Sequence, residues 1–202
     1  MTSPRTILSA WQLPPKKSLG QNFLSDPSTA RMIVDRAAIG PEDIALEIGA
    51  GLGALTVPLA RRAARVTAVE TDSRLIDLLK TELKVHDICN VDVIQQDILK
   101  VDIAKIPITG NRRLVVMGNL PYHISSQIIV RLISERKWVD RAVVMVQREM
   151  AERLMASPGG KDYGRLTAML RYCADIRSVA IVRADCFYPR PKVDSEAAAI
   201  HF

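Results

Sequence analysis

The chain has few thiols, few imidazoles and no long apolar run, and each scarcity argues against a class of function. Its three cysteines, Cys89, Cys173 and Cys186, are odd in number and show no C-x-x-C spacing, which argues against a disulfide framework or a zinc site. Free thiols in or near a core are expected instead. His86, His123 and His201 are scattered; His123 alone falls beside a candidate site, and no metal is expected. No stretch approaches the ~18 consecutive apolar residues of a membrane span. Residues 1–15 lack the apolar middle of a secretory leader. A cytoplasmic monomer is the expectation, without internal repeats or low-complexity segments.

What is present is a chain of 202 residues, nearly half hydrophobic, long enough to bury one full α/β core. A net charge of +6 suits an anionic partner. The basic residues are spread as pairs, Lys16 and Lys17, Arg61 and Arg62, Arg112 and Arg113, Arg136 and Lys137, with Arg190 and Lys192 nearby in sequence to one another. Most such pairs are solvated faces.

Hydrophobic patterning alternates between strands and helices. Strands are expected near 44–48, 66–70, 91–95, 113–118, 141–147, 176–183 and 195–202. Helices are expected from Ser25 or Asp26 with Pro27 to about Ala38, at Leu55 to Ala63, Ser125 to Arg136, Glu149 to Met155 and Gly164 to Cys173. Between the first strand and its helix, Gly49, Gly51 and Ala54 satisfy G-x-G-x-x-G/A, a turn that suits close backbone approach to a nucleotide-like ligand. Glu70 ends the second strand, where a ribose diol would bind. Asp97 follows the third, at a strand's carboxyl end, where open α/β sheets hold their ligands.

Those features would also serve a dinucleotide-dependent dehydrogenase. Asn119, Leu120, Pro121 and Tyr122, following the apolar run 114–118, point elsewhere. The lone pair of an adenine amino group is delocalised into the ring, so the amine is a poor nucleophile until acceptors hold its hydrogens. The Asn119 side-chain oxygen is one acceptor. The Leu120 carbonyl, restrained by Pro121, is another, and Tyr122 offers a ring for stacking. By itself the tetrapeptide could be only a turn. No catalytic His or Tyr-x-x-x-Lys arrangement for hydride transfer follows, which favours S-adenosylmethionine over NAD as cofactor.

Taken in order, Lys17-Ser18-Leu19-Gly20-Gln21-Asn22-Phe23-Leu24, the glycine turn from Glu47 to Thr56, Val69-Glu70, Gln96-Asp97, Asn119 to Tyr122, and the run from Phe187 to Ser195 resemble a known pattern. It is that of the KsgA-type ribosomal RNA adenine dimethyltransferases, relatives of the erythromycin-resistance methyltransferases and of mitochondrial transcription factor B. The resemblance implies a class I S-adenosylmethionine-dependent methyltransferase fold, α/β and Rossmann-like, with seven mostly parallel strands and an antiparallel last strand. It implies that residues 1–25 fold over the cofactor site of a catalytic domain spanning 26–202, and that the family's small helical carboxyl-terminal domain is not in this sequence. Asn22 and Leu24 would lie against the cofactor, Gly49 and Gly51 beside its methionine part, Glu70 on the ribose, Asp97 and Ile98 on the adenine edge, and Asn119 between donor and acceptor. Tyr122 and Phe187 would sandwich the target base, with Phe187 held in a loop made rigid by Pro189 and Pro191. Lys16, Lys17, Arg190 and Lys192 become the candidates for RNA contact.

The substrate implied is adenine in small-subunit ribosomal RNA, presented by the small ribosomal subunit or its precursor. Leu120 and the Lys192 to Ser195 ending favour that branch over the resistance enzymes, which more often carry Asn-Ile-Pro-Tyr and act on the large subunit. Two readings remain beside it. One is a non-enzymatic RNA-binding assembly or transcription factor on the same fold. The other is a methyltransferase for DNA adenine or protein glutamine, which would more typically carry Asn-Pro-Pro-Tyr.

Overall fold

The computed structural model describes residues 3–108 and 113–202; Arg112, one of the paired basic residues, lies outside them. Nine strands are present among the described residues: β1 Phe23–Leu24, β2 Ile44–Ile48, β3 Arg65–Glu70, β4 Val91–Gln95, β5 Leu114–Asn119, β6 Val139–Gln147, β7 Asp175–Val182, β8 Phe187–Tyr188 and β9 Ser195–His201. Seven of them form one sheet in the order β4-β3-β2-β5-β6-β9-β7, in which β9 runs antiparallel to both neighbours and the other pairings are parallel. The fold class expected from the sequence is the one found.

Both faces of this sheet are covered, so its central strands are apolar throughout rather than alternating. In β5, Leu114 and Val116 join one core cluster with Ile128, Ile129 and Leu132, while Val115 and Met117 join the opposite one with Ile33, Val34 and Leu59. The side-chain period of two sends successive residues to opposite faces. Helix α5 (Ser125–Ser134) covers the first face, and α2 (Pro27–Arg36) with α3 (Thr56–Ala60) the second. The remaining helices are α1 (Pro4–Ala10), α4 (Ser73–Val85), α6 (Arg148–Met155) and α7 (Arg165–Cys173). Helix α2 starts where Asp26 accepts from the backbone amides of Ser28 and Thr29 and Pro27 fixes the first turn. Its end and that of α3 fall short of the expected bounds by two or three residues, the usual uncertainty of helix termini.

Two features were not expected. Helix α1, capped by the Ser3 side chain, buries Ile7 and Leu8 in a cluster with Phe23, Leu52, Leu75 and Leu78. The two-residue strands β1 and β8 pair antiparallel, Phe23 opposite Tyr188 and Leu24 opposite Phe187, outside the main sheet. The amino-terminal segment is thereby fastened at two places, by apolar packing and by a short ladder.

Candidate active site

A cavity opens at the carboxyl ends of β2, β3 and β5 and beside the turn after β4, with residues 19–24 closing one side. Asn22, Leu24, Gly49, Gly51, Glu70, Asp97, Ile98, Asn119, Leu120, Pro121 and Tyr122 all line it. Five separate stretches of chain, near 19–24, 47–55, 69–71, 96–98 and 119–124, therefore meet around one space.

The glycine turn is built from left-handed backbone: Gly49, Gly51 and Gly53 have φ of 72°, 55° and 84°. Side chains disfavour that region. The amides of Gly49 and Ala50 both donate to the Val69 carbonyl, at 2.9 and 3.1 Å, tying the turn to β3. Phe23 lies directly over Gly51, where an added Cβ would come within 3.2 Å of its ring. Glu70 is held from two sides, Oε2 accepting from the Gly51 amide and Oε1 from the Asp72 amide, each at 2.8 Å. Burial raises its pKa despite these hydrogen bonds. A carboxylate oxygen accepts more than one hydrogen bond, so the group retains capacity toward the cavity.

Glu47, which stands in the sequence as the first residue of the glycine-turn motif, is also part of the site. It is 1% exposed and lines the cavity. Burial first, and the nearby Glu70 charge in addition, push its carboxyl up to about 7, although the Thr56 hydroxyl beside it favours the charged form. Neither Glu47 Oε2 nor Thr56 Oγ1 has a hydrogen-bond partner meeting ordinary geometry. Its signal in the sequence is an acid inside an otherwise apolar strand, Ile-Ala-Leu-Glu-Ile.

On the opposite wall, Asp97 accepts from the Leu99 amide through Oδ1 at 2.9 Å, which leaves Oδ2 for a ligand. Asn119 donates from Nδ2 to the backbone carbonyl of Asn22 at 2.8 Å. That bond decides which end of the amide is nitrogen and leaves Oδ1, a pure acceptor, for an incoming group. Leu120 is anchored by its amide to the Met145 carbonyl at 3.0 Å. The Tyr122 hydroxyl is hydrogen-bonded to Ser195 Oγ at 2.8 Å, and burial raises the pKa of the phenol.

Phe187 is not brought to the cavity. It is 4% exposed, paired with Leu24 and packed in the core cluster that includes Leu24 and Val182. Its ring serves there as core, because β8 turns it inward when it pairs with β1. Tyr188–Pro189 is a cis peptide.

Lys16, a candidate for RNA contact, already has a partner within the chain. Its ammonium pairs with Asp72 Oδ1 at 3.0 Å, and the same carboxylate accepts from Gln21 and Arg74. Those bonds, Arg74 foremost, hold Asp72 well below the usual carboxylate range. Lys16 thus fastens the amino-terminal segment, whereas Lys17, Arg190 and Lys192 are exposed. Among the described residues no group of acids, histidines and cysteines is arranged to hold a metal ion, and no helix is long and apolar enough to cross a membrane.

Comparison with known proteins agrees with this geometry. The chain is 47% identical over its whole length to the ribosomal RNA small subunit methyltransferase A of Desulforapulum autotrophicum, of which it spans 70%. Among solved structures it superposes on a dimethyladenosine transferase from Plasmodium falciparum with a TM-score of 0.79 at 36% identity, covering 89% of this chain and 62% of that one. It superposes on the 23S rRNA methyltransferase ErmE with a TM-score of 0.75 at 32% identity, covering 89% and 69%. The family model for ribosomal RNA adenine dimethylase matches residues 14–201, nearly the full extent of the fold and every wall of the cavity, and the chain belongs to that family.

Proposed function

We propose that this chain carries the catalytic machinery of an S-adenosylmethionine-dependent adenine N6-dimethyltransferase for small-subunit ribosomal RNA, working as a cytoplasmic monomer in ribosome biogenesis. The observation that carries the reading is the Asn119 amide, whose nitrogen is committed to the Asn22 carbonyl, so that its oxygen is left as an acceptor at the cavity wall.

The residues present fit the cofactor. Its methionine end carries an ammonium and a sulfonium against one carboxylate, and Glu47 supplies a carboxyl group beside a glycine turn that would admit it. Its nucleoside end needs diol and amine acceptors, which Glu70 and the spare oxygen of Asp97 provide. Asn22 and Leu24 cover the site, and Ile98 contributes to an apolar wall. When bound, S-adenosylmethionine supplies an electrophilic methyl group on a sulfonium sulfur.

Asn119 Oδ1 and the Leu120 carbonyl accept hydrogen bonds from the adenine amine, drawing its lone pair out of the ring and toward the methyl carbon. With the donor bound, the amine nitrogen would form the N–C bond as the C–S bond breaks, sulfur would leave as a neutral thioether, and a hydrogen held by Asn119 or Leu120 would be lost to solvent as a proton. Tyr122, a neutral phenol held in place, stacks on the base. Catalysis comes from positioning and from acceptors already oriented before the reaction. Lys17, Arg190 and Lys192 contact RNA phosphates, and the reactive adenine leaves its stack to enter the site.

The test is transfer of labelled methyl from S-adenosylmethionine to unmethylated small and large ribosomal subunits in parallel, with nucleoside analysis of the product. Dimethyladenosine in the small subunit, reduced about a hundredfold or more by Asn119→Ala, is expected. Label in the large subunit would move the chain to the activity that the name of its ErmE neighbour describes. No transfer to either would refute the reading.

A further inference from the structure

Ser195 is completely buried, at the first position of β9 and opposite Gln147 and Val182 on the flanking strands. Among the described residues its hydroxyl has one side-chain partner, the hydroxyl of Tyr122, at 2.8 Å. Tyr122 closes the stretch from Asn119 that follows β5, 73 residues before Ser195, and lines the cavity. Among the described residues, the stretch 119–125 is fixed otherwise by the Asn119 side chain, by the Leu120 amide to Met145 and the Ile124 amide to Pro121, and by the Ser125 hydroxyl to the Tyr122 carbonyl. None of these bonds reaches the Tyr122 ring.

The phenolic oxygen lies on the axis about which a tyrosine ring spins. Anchoring that oxygen leaves the spin to the cavity walls but fixes the direction of the axis, and with it the χ1 well. A ring free to change χ1 would swing its far end by several ångströms, out of reach of a base held by Asn119.

We infer that Ser195 is a positioning residue for methyl transfer, holding the Tyr122 ring in the orientation in which it stacks on the target adenine. This rests on the proposed function, since it requires a base to be stacked. Ser195 is not among the residues that line the cavity, so it acts on a bound base through Tyr122. Its effect passes through one hydroxyl, and that makes it separable from an ordinary packing role.

The experiment is a double-mutant cycle of Ser195→Ala and Tyr122→Phe in the full chain, reading kcat and KM for small-subunit RNA together with S-adenosylmethionine affinity by calorimetry. Ser195→Ala is expected to lower kcat about fivefold in the Tyr122 background, the worth of one neutral hydrogen bond. Cofactor affinity should stay within about twofold of the parent, because the ring's axis bears on the base. In the Tyr122→Phe background, where no hydroxyl remains to be held, Ser195→Ala should change kcat by less than about twofold. Equal losses in both backgrounds, or a parallel loss of cofactor affinity, would overturn the inference while leaving the function intact. A parent chain that transfers no methyl to small-subunit RNA would overturn the function, and this inference with it.

Discussion

Replacing Glu47 by Gln tests the electrostatics of the cavity directly. The carboxyl has an ordinary value of 4.5 and is pushed to about 7 in the folded chain, first by burial. A displacement of that size corresponds to about 3 kcal/mol of folding free energy. An acid whose folded value lies above its unfolded value holds its proton more tightly when folded. Its contribution is therefore complete below the unfolded value and is lost as pH rises through about 7. Glutamine keeps the shape and cannot ionise. Urea unfolding of both proteins without ligand, from about pH 4.5 to about pH 8, should show stability of the parent falling by up to about 3 kcal/mol relative to Glu47→Gln. Glu70, also raised by burial, is present in both and largely cancels from the comparison. Parallel pH profiles, with a difference constant to within about 0.5 kcal/mol, would refute the assignment. A cationic ligand favours the ionised carboxylate, so S-adenosylmethionine should bind more tightly to the parent as pH rises through this window and should release protons on binding. Calorimetry in buffers of different ionisation enthalpy reads that release, and Glu47→Gln should reduce it.

Four further outcomes follow from named residues. Gly118→Ala would place a Cβ 2.5 Å from the Ile48 carbonyl oxygen, a backbone atom with no freedom to withdraw, and should cost about 1–3 kcal/mol in urea unfolding. Asp72→Ala removes the buried acceptor shared by Lys16, Gln21 and Arg74, so limited proteolysis should cut the first two dozen residues sooner than in the parent; an unchanged rate would mean that α1 and the β1–β8 ladder suffice. The same carboxylate, depressed in the folded chain, stabilises it above the ordinary Asp value of 3.8, and that stabilisation is lost on acidification below it. Neutralising Lys17, Arg190 and Lys192 together should weaken RNA binding and flatten its salt dependence by about two to three in log–log slope, with cofactor affinity unchanged.

What the sequence could disclose was local. The strands announce themselves as short apolar runs, and the parallel arrangement follows from their alternation with helices. The glycine turn, Glu70, Asp97 and the stretch from Asn119 to Tyr122 each sit at a strand end, so a strand assignment and a short motif were enough to place them at one edge of the sheet. Helix α1 has no such signal, because seven residues carry little periodicity and its stability comes from packing on Leu52, Leu75 and Leu78, far along the chain.

Only the tertiary structure decided which groups are partners across long separations. Lys16 meets Asp72 across 56 residues, Tyr122 meets Ser195 across 73, and Asn119 meets the Asn22 carbonyl across 97. A pattern of residue types records that Lys16 is charged and that Phe187 sits among prolines. It does not record that a buried carboxylate waits for that charge, or that pairing with Leu24 turns that ring into the core. The direction of a side chain is set by the register of the strand that carries it and by what the neighbouring strand presents, and both exist only once the chain has closed on itself.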